Sequence, residues 1–368
     1  MAESPLEAEI RRRIKLAGPM PVRQFMTLCL SHPEHGYYMT RDPLGRGGDF
    51  ITSPEVSQVF GELIGLWAAA VWHLMGQPDN VRLIELGPGR GTMLLDAMRA
   101  AQVVPAFRAA IVLHLIEISP ALREKQQQAM GTLEVPTMWH ESFDEVPDGP
   151  AIVLANEFFD ASPVNQAIKQ FNGWYERVVE IDNDGNLVFG IANDVIPLFE
   201  QLVPASVRDA PVGAIYEWRA DNLPLAIGRR LVRQGGAALV IDYGHVESAA
   251  GETLQAVGGH AFANPLVAPG EVDLTAHVDF RAFADAAESM GARIHGPVEQ
   301  APFLRHLGID QRAAALKAYA APDKAGEIDS GVQRLLGEGR TDMGRLFKVL
   351  GISNPALEKL PGFEPEAR

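Results

Sequence analysis

The sequence predicts an α/β protein: a mostly parallel sheet covered by helices on both faces, with an N-terminal helical extension and a hairpin insertion. Three observations carry this. Short apolar stretches at 81–86, 111–117, 151–155 and 237–242 alternate with helical stretches, the pattern of parallel strands buried on both sides. A glycine-dense turn follows the first stretch and opens a helix. Residues 165–195 break the alternation: 174–181 and 186–190 read as antiparallel strands around Asn183-Asp184-Gly185.

The first helix is expected over residues 4–18. Ser4 caps it, Pro5 suits its first turn, Glu7 completes a capping box, and Leu6, Ile10 and Ile14 form one apolar stripe. Gly18-Pro19 stops it, and a second helix runs over about 21–30. Gly36-Tyr37-Tyr38 and a glycine-rich loop at 45–52 follow. Ser53-Pro54-Glu55 then opens a third helix, with Val56, Val59, Phe60, Leu63, Ile64 and Trp67 at helical spacing. Residues 245–275, rich in Gly, Ala and Pro, read as a long ordered loop, and the tail from about 302 as short helices. The expected organisation is a segment over 1–75, a core over 76–300 with insertions at about 162–210 and 245–275, and a helical segment over 301–368.

Composition limits the function. A chain of 368 residues, 47% hydrophobic and 21% charged, buries a core without staples. Its 47 acidic and 32 basic residues leave a net charge of −15, which argues against gripping a nucleic-acid backbone and suits a cationic partner. Cys29 is the one cysteine, so no intrachain disulfide forms, and its apolar neighbours mark a buried thiol in a reducing compartment. No apolar run reaches the ~18 residues of a membrane span. The first residues carry Glu3, Glu7 and Glu9 instead of a targeting pattern, so a cytoplasmic protein without membrane insertion is expected.

The chemistry concentrates in Glu85-Leu86-Gly87-Pro88-Gly89-Arg90-Gly91-Thr92. Alternating glycines accept positive φ and bring the backbone within contact distance of a ligand at a helix start. The dinucleotide fingerprint fails, because Thr92 holds the place of its third glycine. A nicotinamide-dependent oxidoreductase is thereby disfavoured. The spacing resembles instead the first motif of class I S-adenosylmethionine-dependent methyltransferases. That resemblance implies a Rossmann-like core in which Glu85, Gly87, Pro88, Gly89 and Thr92 hold the cofactor. It also implies an acid after the next strand for the ribose hydroxyls. Glu117 stands there, followed by Ile118, and a carboxylate has the acceptor capacity for two donors. In Trp139-His140-Glu141-Ser142-Phe143-Asp144, Phe143 either stacks on the adenine or belongs to the core, with Ser142 or Glu141 at the exocyclic amine.

After the third clear strand comes Asn156-Glu157-Phe158-Phe159-Asp160-Ala161. Many amino-group methyltransferases carry Asn/Asp-Pro-Pro-aromatic here, and this form is similar at Asn156 and Phe159. Glu157 and Phe158 replace the prolines, which favours a cationic acceptor over a nucleobase. Carboxylates hold a guanidinium by bidentate, charge-assisted bonds. Glu157 and Asp160 are therefore the candidate catalytic acids, with Asn156 shared between cofactor and acceptor. Acids decorating a helix N-terminus are the competing reading. His245, in Asp242-Tyr243-Gly244-His245, is placed to relay a proton. Gly48 and Ser53 flank a candidate lid, with a plain helix start as its alternative. The histidines show no metal spacing.

Gly36-Tyr37-Tyr38, Gly48-Asp49-Phe50 through Ser53-Pro54-Glu55, the glycine turn, Glu117-Ile118-Ser119-Pro120, Asn156 to Asp160, Ile241 to His245, Asp273-Leu274-Thr275 and Phe303-Leu304 together resemble the MidA-like methyltransferases. The match runs over about 20–350. It implies a protein-arginine N-methyltransferase, with symmetric dimethylation, acting on the quinone-site subunit of NADH dehydrogenase (respiratory complex I) and supporting its assembly. The lack of a presequence pattern in the first residues suggests a bacterial member, relatives in eukaryotes working in the mitochondrial matrix. A non-catalytic assembly chaperone retaining the fold is the alternative, and the hairpin is available to a partner or to a second copy of the chain.

Overall fold

The computed structural model describes residues 4–40, 52–259, 261–339 and 342–364. These form two compact units: 51–159, 221–246 and 280–368 in the larger, and 1–50, 160–220 and 247–279 in the smaller.

In the larger unit seven strands lie side by side in the order Arg293–Glu299, Phe347–Ser353, Gly236–His245, Ala151–Asn156, Val81–Leu86, Ile111–Ile116, Thr137–His140. The last five are mutually parallel, and Phe347–Ser353 is antiparallel to both its neighbours. The order reverses between Val81–Leu86 and Ala151–Asn156. At such a switch point the loops beyond the carboxyl ends diverge and leave a crevice for a ligand. The sequence predicts short helices from about 302 and no strand at 347–353, and its pattern marks no element at 293–299. Phe347–Ser353 is apolar without alternation and buried almost throughout, because it lies inside the sheet, and such a run carries no period of two.

Helix Gln58–Leu74 is buried over most of its circumference, with Phe60, Trp67 and Val71 in the core beside Leu83, Leu113, Ile152 and Leu239 of the strands. Residues grouped with the N-terminal segment on sequence grounds thus pack into the sheet unit, as do the helices Gln300–His306, Ile309–Lys317 and Pro322–Leu336. The helix expected to start at Ser53 is broken. A single turn, Ser53–Val56, ends at Ser57, whose extended backbone and side chain cap a new helix through the Val59 N–H. Gly331 lets helix Pro322–Leu336 approach the break: a Cβ there would lie 2.9 Å from the Val56 carbonyl oxygen.

In the smaller unit, Met20–Pro21, Gly173–Ile181, Asn165–Gln170 and Ile215–Trp218 form an antiparallel sheet, with Leu187–Val195 added on Gly173–Ile181. The hairpin turn is as its residues predict, though its second strand continues to Val195. The expected loop at 245–275 instead contains a small antiparallel sheet of Ala261–Ala263, Gln255–Gly258 and Asp273–Thr275, anchored by buried Ala256 and Leu274. Helix Pro5–Ala17 starts at Ser4, which accepts from the Glu7 N–H, and ends at Gly18 with φ +88°. The reciprocal half of the capping box is absent, because the Glu7 carboxylate binds Arg11 one turn on. Cys29 is buried, and burial pushes its thiol pKa up to about 12. Among the described residues no helix is long and apolar enough to cross a membrane.

Candidate active site

Strand Val81–Leu86 delivers the chain into the glycine turn, where Gly87, Gly89 and Gly91 have φ of +61°, +55° and +81°. All three glycines therefore occupy the left-handed region that their spacing anticipates. The Gly87 N–H donates to Ile116 of the neighbouring strand, at 3.0 Å. A Cβ on Gly87 would lie 2.6 Å from the Phe158 ring, and one on Gly91 2.6 Å from the Met130 methyl. Pro88 is buried, and its carbonyl accepts from the Gly91 N–H at 2.7 Å. Gly91 opens helix Thr92–Ala100 without a side-chain cap, leaving the first N–H groups of the helix unclaimed by any capping side chain. The Thr92 hydroxyl donates to Glu55 Oε1 at 2.8 Å.

Glu117 lies just past the end of the adjacent strand, and the turn and this acid are joined by one side chain. Gln126 Nε2 donates to the Gly89 carbonyl at 2.7 Å and to Glu117 Oε2 at 3.1 Å, while its own Oε1 accepts from Trp139 Nε1 at 3.0 Å. Glu117 Oε1 accepts from the Ser119 N–H at 2.8 Å. Burial raises the Glu117 pKa, against the lowering effect of these hydrogen bonds and of Arg123. An ionised carboxylate accepts about four hydrogen bonds, more than the Ser119, Gln126 and Ile118 donors use, so acceptor capacity remains for a ligand hydroxyl. Sequence reasoning missed Gln126. Its signal was a polar residue between Leu122 and Met130 on the inward stripe of helix Pro120–Met130.

Glu85 is only 3% exposed, and Oε2 has no hydrogen-bond partner among the described residues. Desolvation alone pushes its pKa up to about 8. A cationic ligand group nearby would favour its ionised form.

At the end of Ala151–Asn156, Glu157 takes φ +49°, a left-handed conformation outside glycine that costs on the order of 1–3 kcal/mol and is found where structure over-determines it. Its N–H donates to the Ile241 carbonyl at 2.9 Å. Its Oε1 accepts from the Ser53 N–H at 2.6 Å and from Asn156 Nδ2 at 3.1 Å, while Asn156 Oδ1 is buried without a partner. Ser53 is fully buried. Asp242 fixes the loop: its carboxylate accepts from the Phe159 and Tyr243 N–H groups, both at 2.9 Å. Phe159 packs edge-on against Phe283 and Phe158.

The remaining candidates are placed as follows. His245 is half-buried at the end of Gly236–His245. Ile118 is 48% exposed, whereas Phe143 is buried with the Arg230 guanidinium 5.6 Å from its ring centre. Ile118 is the more exposed apolar side chain of the two. The exposed Ser142 hydroxyl donates to Glu145 Oε1 at 3.2 Å. Asp160 belongs to the smaller unit, where it is buried, its carbonyl accepts from the Ala276 N–H at 3.0 Å, and its charge acts on Tyr38. Gly48, with the rest of the candidate lid at 48–51, lies outside the described residues. Among the described residues no group of three or more His, Cys, Asp or Glu is arranged to hold a metal ion.

A glycine turn that a Cβ would obstruct, an acid fixed beside it and a buried carboxyl awaiting a partner fit a polar, cationic nucleoside ligand at the switch point. Comparison with known proteins agrees. The family model for S-adenosyl-L-methionine-dependent methyltransferases matches residues 63–298. A Drosophila melanogaster protein named protein arginine methyltransferase NDUFAF7 homolog, mitochondrial, is 36% identical over 97% of this chain and 87% of its own. The Mus musculus protein arginine methyltransferase NDUFAF7, mitochondrial, is 37% identical over 91% of this chain and 80% of its own. A solved Burkholderia thailandensis protein bound to S-adenosyl-homocysteine aligns with TM-score 0.86 and 28% identity, covering 98% of this chain and 95% of that one.

Proposed function

Since the chain belongs to the S-adenosyl-L-methionine-dependent methyltransferase family, we propose that its acceptor is an arginine side chain of a protein. The further reading is that this protein is the quinone-site subunit of NADH dehydrogenase, dimethylated symmetrically as part of complex assembly in a bacterial cytoplasm. The names of the animal relatives support the arginine acceptor; the NADH dehydrogenase target rests on the resemblance to the MidA-like methyltransferases alone.

When bound, the cofactor supplies an electrophilic methyl group on a sulfonium. The residues to hold it are Glu85, the turn from Gly87 to Thr92, Glu117 and Ile118, with Gln126 fixing the turn to the acid. Glu157 carries the acceptor side of the reading. Its carboxylate is held by Ser53 and Asn156, which pre-orients a negative charge at the switch point. Such a carboxylate binds a guanidinium and draws its positive charge toward one nitrogen, leaving lone-pair density on another for in-line attack. His245 is the candidate to receive the proton lost afterwards. Catalysis on this reading is positioning plus electrostatics.

The observation that carries the cofactor side of the reading is the Gln126 bridge between Gly89 and Glu117; the acceptor side rests on the Glu157 carboxylate held by Ser53 and Asn156. The test is calorimetry with S-adenosylhomocysteine, then mass spectrometry of the purified subunit after incubation with cofactor. Gly87→Val should abolish cofactor binding, because its side chain meets Phe158. An unmodified subunit beside normal cofactor affinity would favour an assembly chaperone.

A further inference from the structure

The outer edge of the hairpin in the smaller unit is open. Strand Leu187–Val195 pairs with Gly173–Ile181 and with no other strand among the described residues. At the turn the Asp182 N–H donates to the Asn186 carbonyl. From that bonded pair the antiparallel ladder alternates, so Leu187, Phe189 and Ile191 direct their backbone N–H and C=O groups outward.

The edge has a distinct chemistry. Residues 171–196 contain five acids, Glu176, Glu180, Asp182, Asp184 and Asp194, against one base, Arg177. Arg177 is engaged by Glu252 and Gln166 and lies 3.9 Å from the Phe189 ring centre. Gly190 leaves room for the Glu180 carboxylate beside the edge backbone: a Cβ there would lie 2.4 Å from Glu180 Cδ. Asp182 is used by the backbone of its own turn. Glu180 and Asp194 have no ion-pair partner among the described residues. Ile191 and Val195 are 42% and 43% exposed. The Ile196 N–H donates to the Trp174 carbonyl, which holds this end of the strand near the turn carrying the exposed Phe171.

We propose that this edge takes up an extended, basic segment of the protein substrate as an added strand. The inference rests on the protein-arginine reading above and names where that substrate docks. Main-chain bonds to Leu187, Phe189 and Ile191 supply affinity, Ile191 and, beyond the register shift that follows it, Val195 offer apolar contacts, and Glu180 and Asp194 select Arg or Lys. A charged edge also discourages self-pairing, and an oppositely charged strand relieves that repulsion.

The test is fluorescence anisotropy on the full chain with two labelled peptides, Val-Arg-Val-Thr-Val-Arg-Val and its counterpart with Glu in place of Arg. The basic peptide should bind at least about tenfold tighter, and the preference should weaken with salt. Glu180→Gln combined with Asp194→Asn should remove the preference. Ile191→Pro, which deletes an outward donor, should weaken both peptides. If that variant fails to fold, a peptide N-methylated at alternate residues should lose binding to the native chain instead. Absence of binding, equal binding of the two peptides, or a preference untouched by the carboxylate changes overturns the proposal. So does a dimer in sedimentation that Ile191→Pro dissociates, which would make the occupant a second copy of the chain. Arginine methylation is scored separately by mass spectrometry. Selective peptide binding without any methyl transfer upholds the basic edge and removes the arginine reading.

Discussion

Glu85 shows how a single buried carboxyl couples the ligand to the proton. Its pKa of about 8 in the folded chain lies above its unfolded value of 4.5. The native state therefore holds the extra proton, and stability falls as pH climbs from about 4.5 through 8. Glu85→Gln should flatten that decline and raise stability at pH 8 by on the order of 2–4 kcal/mol, read from urea unfolding at several pH values. A cationic cofactor favours the ionised form. Cofactor binding by the native chain should thus release a proton near neutral pH, seen as a buffer-dependent enthalpy in calorimetry that Glu85→Gln abolishes. Gln126 is the second case. Gln126→Leu breaks the links to Gly89 and Glu117 and strips Trp139 of its acceptor. It should lower affinity for S-adenosylhomocysteine by about 30- to 150-fold, two lost hydrogen bonds at ~1–1.5 kcal/mol each.

At the scale of elements, the sequence announced those whose pattern is local. The strands around the glycine turn, the capped helix at Ser4 and the hairpin turn at Asn183-Asp184-Gly185 are all decided by neighbours within a few residues. The break at Ser57 was not legible, since Ser53-Pro54-Glu55 satisfies every rule for a helix start and apolar spacing continues past it. The approach of Gly331 from a helix distant in sequence is a tertiary fact. Gly331→Val should therefore destabilise the fold by about 1–3 kcal/mol of overpacking, and Ser57→Ala by about 1 kcal/mol of lost capping, both measured by urea unfolding. The candidate site divides the same way. The glycines and Glu117 were readable because their spacing is imposed by one turn and one strand. The contact of Glu157 with Ser53 was not, because 104 positions of chain separate them and only the sheet brings them together.

Across the whole molecule the buried histidines work against Glu85. Burial lowers the pKa of His114 and His295 to about 4, and lowers that of His140. His114 Nδ1 and His140 Nε2 share a contact of 2.9 Å, and His295 pairs with Ser353 at the same distance. Each histidine binds fewer protons folded than unfolded, so stability present above pH 6.5 is lost as pH falls toward 4. In a calorimetric pH series the histidines should therefore lower the melting temperature as pH falls below 6.5, and Glu85 should lower it as pH rises toward 8. Phe347–Ser353 has a consequence for synthesis. It is a wedge driven between two strands made earlier, Gly236–His245 and Arg293–Glu299. A chain whose synthesis has not yet reached residue 347 thus lacks the strand that joins the two, and leaves the margins it would fill open to pairing with another copy.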